Sequence, residues 1–221
     1  MANQGVFISF EGIDGAGKTT QVQRLADRLR TDLHGLNILS TREPGSGVLG
    51  KELRRLILHP PVGSQIDEKT ELLILLADRA HHVATEIRPH LQRGGVVICD
   101  RYSDSSIAYQ GFGRGIPITE VRRLNVFATD GLWPDMTILL DIDPQVSLGR
   151  NNEKTRMEAE IASFHRRVRD GFMQLAMEKP ERFIIVDATQ SEDAVHEEIW
   201  KRASRRIAQI EAGIATQREA A

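Results

Sequence analysis

Short runs of β-branched and apolar residues alternate along the chain with longer stretches whose apolar positions recur every three or four residues. Residues 6–10 (Val-Phe-Ile-Ser-Phe) form the first strand-like run, and Val22, Leu25, Ala26, Leu29 and Leu33 then share one helix face. Residues 36–40 read as a second strand, followed by a Pro/Gly loop and a helix through Leu53, Leu56 and Ile57. After a break at 59–63, a long helix runs from about Asp67 towards Pro89, which is expected to end or kink it. Runs 96–99, 137–140 and 183–186 are continuously apolar, as expected of strands buried on both faces. Ile161, Phe164, Val168, Phe172 and Leu175 mark a helix between the last two runs, and Val195, Ile199, Ala203 and Ile207 mark a final one. The pattern predicts an α/β fold in three layers, a five-stranded parallel sheet with helices on both faces. Residues 1–211 read as one domain, and 212–221, without apolar periodicity, as a disordered tail.

Composition narrows the function. The 221 residues carry 29 Lys+Arg against 31 Asp+Glu, a net charge of −2, so no basic excess points to nucleic acid. The single cysteine, Cys99, excludes an intrachain disulfide framework and a cysteine-rich zinc site, and suits a reducing compartment. No apolar run approaches the ~18 residues of a membrane span, and the N-terminus lacks the pattern of a signal peptide. The expectation is a cytoplasmic protein with no nucleic-acid or membrane partner.

The strongest chemical signal is Gly12-Ile13-Asp14-Gly15-Ala16-Gly17-Lys18-Thr19, a full match to G-x-x-x-x-G-K-[ST] between a strand and a helix. Glycines let successive backbone N–H groups converge on phosphate oxygens, and the helix N-terminus adds roughly half a positive charge. Lys18 would reach the β- and γ-phosphates and the Thr19 hydroxyl would bind Mg²⁺. This is a nucleoside-triphosphate site, with ATP and Mg²⁺ as the expected cofactors. A switch GTPase would carry Asn-Lys-x-Asp, which 152–155 (Asn-Glu-Lys-Thr) does not complete. An oligomeric ATPase would end an apolar strand in adjacent acids, whereas 96–99 ends in Asp100-Arg101-Tyr102. An arginine beside the metal-facing acid suggests that a second phosphate approaches the γ-phosphate, as in a nucleotide kinase.

With these pieces stand Phe10-Glu11-Gly12, Thr41-Arg42-Glu43-Pro44-Gly45, Ala108-Tyr109-Gln110-Gly111, Gly113-Arg114-Gly115 and Asp187-Ala188-Thr189. In this order they resemble the bacterial thymidylate kinases, P-loop nucleoside monophosphate kinases, over most of the chain. The resemblance implies transfer of the γ-phosphoryl group of ATP to dTMP, giving dTDP and ADP. Another P-loop nucleotide or deoxynucleoside kinase with a different acceptor is the alternative. It also implies residue roles. Asp14 faces the acceptor's 3′-hydroxyl, Arg42 and Arg101 clamp its phosphate, and Arg79 meets the thymine carbonyl edge. Ser105, Ser106, Tyr109 and Gln110 complete the acceptor site; Leu75 and Leu76 stand where many relatives stack a phenylalanine on the base. Glu43 and Pro44 shape their loop. Asp100 and Glu158 join Thr19 near the metal, and Lys18, Arg101, Arg150 and Arg156 act on the transferred group. Because Gly15 replaces the in-loop arginine of one subtype, the basic residues of a lid at about 149–158 take that part, with Arg156 or Lys154 supplying the contact. His81 and His82 read as surface or interface, not metal. The helix at 72–77 is apolar all round, which together with the resemblance implies a homodimer.

Overall fold

The computed structural model describes residues 5–32, 36–148 and 160–219. The lid proposed at 149–158, with Arg150, Lys154, Arg156 and Glu158, lies outside the described residues. The strands are β1 (Val6–Glu11), β2 (Ile38–Arg42), β3 (Val96–Asp100), β4 (Met136–Asp141) and β5 (Phe183–Asp187). They form a parallel sheet in the order β2-β3-β1-β4-β5. The helices are α1 (Lys18–Asp32), α2 (Gly47–Leu58), α3 (Glu68–His82), α4 (Arg88–Gln92), α5 (Ser103–Ser106), α6 (Ile118–Thr129), α7 (Pro144–Leu148), α8 (Ala162–Glu178) and α9 (Glu192–Glu219). The expected α/β architecture is present.

Alternation along β1 divides the core, because successive strand side chains point to opposite faces. Val6, Ile8 and Phe10 join the cluster that contains Leu25 and Leu29 of α1 and Ile199 of α9. Phe7 joins the smaller one with Ile87, Leu91, Val97 and Tyr102. At roughly 1.5–3 kcal/mol for each fully buried large side chain, these two faces hold the strand ends in place.

Three differences from the sequence pattern have local causes. The chain passes Pro89 without ending: α3 widens into a π-helical segment, Val83–Ile87, and α4 starts directly after it. The Arg88 N–H reaches back five residues to the Val83 carbonyl, and Pro89, which has no N–H to lose, opens the following turn. A second π segment, Ile107–Gly113, follows α5. Finally, α9 continues to Glu219 where a disordered tail from 212 is expected. Ala, Gln, Arg and Glu are strong helix formers and extend a helix without an apolar face.

Candidate functional site

The carboxyl ends of β2, β3 and β1 lie level across the sheet, with Arg42 paired to Asp100 and Asp100 paired to Phe10. Each strand delivers one piece expected to handle phosphate: Arg42 ends β2, Asp100 ends β3 with Arg101 beyond, and the glycine-rich loop leaves β1. In an open α/β sheet ligands gather at this edge.

The loop takes its shape from its glycines. Gly12 has φ 136° and Gly17 φ 87°, in the region side chains disfavour. A Cβ on Gly12 would also stand 2.5 Å from the Leu140 carbonyl oxygen. Lys18 is buried, and its ammonium donates to the Ile13 carbonyl at 2.8 Å. Burial and the neighbouring Arg101 pull it down from 10.5 to about 8. The Thr19 hydroxyl donates to Asp100 Oδ2 at 2.5 Å, and Arg42 Nη2 donates to the same hydroxyl at 3.2 Å. A hydroxyl and a carboxylate this close form an oxygen donor set of the kind Mg²⁺ takes together with phosphate oxygens.

Arg101 is held in an unusual backbone state, φ 71°, which costs a non-glycine residue about 1–2 kcal/mol. Its guanidinium is fixed on all sides. Nη1 donates to the Gly12 carbonyl at 2.9 Å and to Ser105 Oγ at 3.2 Å; Nη2 donates to the Tyr109 hydroxyl at 3.1 Å and pairs with Asp14. The Tyr109 hydroxyl donates in turn to Asp14 Oδ2 at 2.9 Å. Burial would push the Asp14 carboxyl up, but Arg101, Lys18 and the tyrosine hydroxyl together hold it at about 2. An acid inside a phosphate cradle is thereby kept ionised and aimed.

A cavity of about 410 Å³ opens between these strand ends and α2, α3, α5 and the second π segment. Every residue expected at the acceptor site lines it: Asp14, Arg42, Arg79, Arg101, Ser105, Ser106, Tyr109 and Gln110. Gly15, Gly17, Lys18, Thr19 and Asp100 line it from the side of the glycine-rich loop. Gly12, Ile13 and Ala16 contribute the loop's buried backbone. Leu75 lines the cavity and Leu76 packs in the core behind it.

Arg79 is buried and closely tied. Its Nε donates to Glu43 at 2.7 Å, Nη1 to Ser106 at 2.8 Å and Asn125 at 2.5 Å, and Nη2 to the Tyr102 carbonyl at 3.0 Å. Four of its five N–H donors are thus spent on holding it still. Glu43 is therefore more than a loop former: its carboxylate anchors Arg79 on one oxygen and His82 Nδ1 on the other, at 2.9 Å. His82 corrects the surface reading of that residue. It is buried, with Nε2 2.8 Å from Thr41 Oγ1, because α3 lays this face on the 41–46 loop. Glu43, His82 and Cys99 cluster closely enough to suggest a metal. Their polar atoms are instead engaged with one another and with the chain, Cys99 Sγ donating to the Arg101 carbonyl at 3.0 Å.

The sequence pattern missed other residues here. Arg54 of α2 lines the cavity, donates to the Pro44 carbonyl at 2.8 Å, and is lowered by burial and by Arg42 and Arg101. Its place beside Ile57 on the inner face of α2 is the one available signal. Glu11, fully buried under Arg101, accepts from the Tyr102 N–H at 2.8 Å and from Ser105 Oγ at 2.5 Å. Burial and the nearby Asp104 push its carboxyl up to about 8.

Comparison with known proteins gives the family. The family model described as thymidylate kinase matches residues 10–199. A thymidylate kinase of Deinococcus radiodurans is 46% identical over 207 residues, 92% of this chain and 98% of that protein. One from Halothermothrix orenii is 45% identical, covering 90% of this chain and 96% of the relative. The crystal structure of thymidylate kinase from Ehrlichia chaffeensis superposes with a TM-score of 0.73 at 36% identity, over 89% of this chain and 97% of that one. A glycine-rich loop, a clamped Arg101 and a cavity beside them thus occur in a sequence matched to these enzymes along nearly its whole length, and the chain belongs to the thymidylate kinase family.

Proposed function

We propose that this chain transfers the γ-phosphoryl group of ATP to dTMP, giving dTDP and ADP. The observation that carries the reading is one cavity with Lys18 and Thr19 at one side and the eight expected acceptor residues around the rest. No general base is required. A phosphate monoester with a second pKa near 6 is mostly dianionic at pH 7 and already nucleophilic, so the protein's task is to bring two anions together and spread the charge.

In this reading Arg42, Arg54 and Arg101 hold the acceptor phosphate, and Arg101 is pre-oriented by Gly12, Ser105 and Tyr109. Asp14, kept ionised, takes the acceptor's 3′-hydroxyl, and Tyr109 crowds the position of a ribose 2′-hydroxyl. Arg79, Ser106 and Gln110 meet the base, with Leu75 as its apolar wall. Lys18 neutralises the transferred group. Thr19 and Asp100 would hold Mg²⁺, with Glu158 of the lid, and the ion would screen phosphate charge. Arg150 and Arg156 would complete the charge cage from the lid. Donors fixed in advance gain most in a site from which water is excluded.

The same reading makes the protein cytoplasmic, in keeping with the lone buried thiol of Cys99, and without nucleic-acid or membrane partners. Among the described residues no helix is long and apolar enough to cross a membrane. It also makes the protein a homodimer through α3 and α6, which pack together and expose Leu73, Val126 and Phe127. An ADP-release assay over a panel of nucleoside monophosphates and nucleosides tests the activity. dTMP is expected to be the preferred acceptor; turnover of AMP, GMP or thymidine with dTMP idle overturns the reading.

A further inference from the structure

Arg101 sits at φ 71°, a region that chains ordinarily leave to glycine. Its backbone is set by two soft torsions, which lie between the rigid peptide planes on either side of its Cα. The plane before is held by the Arg101 N–H, which donates to the Phe10 carbonyl at 2.9 Å. The plane after is held by the Tyr102 N–H, which donates to Glu11 Oε1 at 2.8 Å. Glu11 Oε2 accepts from Ser105 Oγ at 2.5 Å, and that hydroxyl oxygen accepts from Arg101 Nη1 at 3.2 Å. One fully buried carboxylate at the end of β1 thus reaches Arg101 twice, at the backbone and, through Ser105, at the guanidinium. The acid within the turn, Asp104, is taken by Arg182 at 2.6 and 2.8 Å and does not share this task. Protonation breaks neither link: a carboxylic acid still accepts from the Tyr102 N–H and still shares one hydrogen with Ser105 Oγ. Glu11 itself does not line the cavity.

We infer that Glu11 is a positioning residue for the acceptor phosphate: by holding the Tyr102 N–H and the Ser105 hydroxyl, it keeps the Arg101 guanidinium aimed into the cavity before a ligand arrives. The inference rests on the proposed function, which gives Arg101 the phosphate of dTMP. An arginine free to sample its rotamers loses that freedom on binding, whereas one held in advance does not, and the difference appears as affinity. The side-chain hydrogen bonds of Glu11 run to residues 102 and 105, not to Lys18 or Thr19. Its effect therefore falls on the acceptor and spares ATP.

Two substitutions on the full chain separate the hydrogen bonds from the volume. Glu11→Gln keeps both links, its oxygen facing the Tyr102 N–H and its NH₂ donating to Ser105 Oγ; Glu11→Met fills the same space and loses both. Dissociation constants for dTMP and ATP are measured by calorimetry on the wild type, both variants, Arg101→Gly, and Glu11→Met combined with Arg101→Gly. Glu11→Met is expected to weaken dTMP about threefold to tenfold and ATP less than about twofold, with Glu11→Gln within about twofold of wild type for each. Without the guanidinium, in Arg101→Gly, Glu11→Met should change nothing further. Equal losses for dTMP and ATP, a glutamine variant as weak as the methionine one, or an undiminished loss in Arg101→Gly overturns the positioning role. Ser105→Ala cuts the guanidinium branch alone, and should weaken dTMP in the wild type but not in Arg101→Gly. A loss that persists there overturns the relay even if Glu11→Met fails to fold. A wild type that ignores dTMP refutes the proposed function instead. One that binds dTMP more tightly than Arg101→Gly does, with that affinity intact in Glu11→Met, refutes the inference alone.

Discussion

Arg101→Ala separates what the guanidinium does for the fold from what it does for the acceptor. The substitution removes the partner that, with Lys18, holds Asp14 at about 2 against an ordinary 3.8. Since the folded value is the lower one, the pairing stabilises the protein above about pH 4 and is lost as pH falls through 2. A displacement of that size corresponds to about 2 kcal/mol at neutral pH. Removing one partner of a buried pair costs about 3–5 kcal/mol, but Asp14 keeps 24% side-chain exposure and its tyrosine hydroxyl. A loss of about 2 kcal/mol at pH 7 is therefore expected, shrinking towards pH 2. Arg101→Gly removes the same guanidinium yet accepts φ 71° without strain, so it should be about 1 kcal/mol more stable than the alanine variant. Function should respond differently. Losing a charged hydrogen bond to the acceptor phosphate costs about 1.5–3 kcal/mol, or about tenfold to a hundredfold in the dTMP dissociation constant. Both variants should show that loss alike, with ATP binding changed far less. Urea midpoints across pH and calorimetry with each nucleotide measure these quantities. Equal losses for dTMP and ATP, or a glycine variant no more stable than the alanine one, would refute the reasoning.

Three further outcomes are expected. Glu11 sits at about 8 in the folded chain against 4.5 normally, so the stability of its neutral form is complete below pH 4.5 and lost as pH rises through 8. Glu11→Gln should flatten the fall in urea midpoint between pH 6 and pH 9, and a slope identical to wild type would contradict the burial argument. Lys18, drawn down to about 8, is half-charged at pH 8 and should regain its proton when a triphosphate arrives. ATP binding at pH 8 should then take up about half a proton, seen as a buffer-dependent binding enthalpy that disappears in Lys18→Met. Placing a charge on the exposed apolar face of α3 and α6, through Leu73→Glu with Phe127→Glu, should convert a dimer into a monomer in sedimentation, whereas an unchanged mass would place the interface elsewhere.

The legibility of this fold follows the range of the interactions behind each feature. Strands buried on both faces announce themselves as apolar runs, and the loop from Gly12 to Thr19 folds from local backbone chemistry, so both are readable from the sequence. The eight residues that the resemblance assigns to the acceptor all line one cavity. What local pattern does not carry is pairing over distance. His82 looks like a surface histidine until Glu43, 39 residues away, is brought against it. Glu71 looks like one more helix acid until Arg114, 43 residues away, closes on it. Pro89 misleads for another reason: the rule about helix termination assumes an α-helical ladder, and the widened turn at Val83–Ile87 changes the ladder. The helix reaches Glu219 through residues without an apolar stripe, because a missing stripe says nothing about whether backbone hydrogen bonds form.

The level row of Arg42, Asp100 and Phe10 across β2, β3 and β1 acts as a ruler. Neighbouring strands stand about 4.8 Å apart, so the span across which phosphate groups can be handled is set by the backbone ladder and not by flexible side chains. In the proposed function the base is read elsewhere, by α3 and the π segment after α5. Spacing and selectivity thus reside on different pieces of chain. In the proposed function, substitutions at Ser106 or Gln110 would retune which base is accepted without recalibrating the distance over which the phosphoryl group must pass.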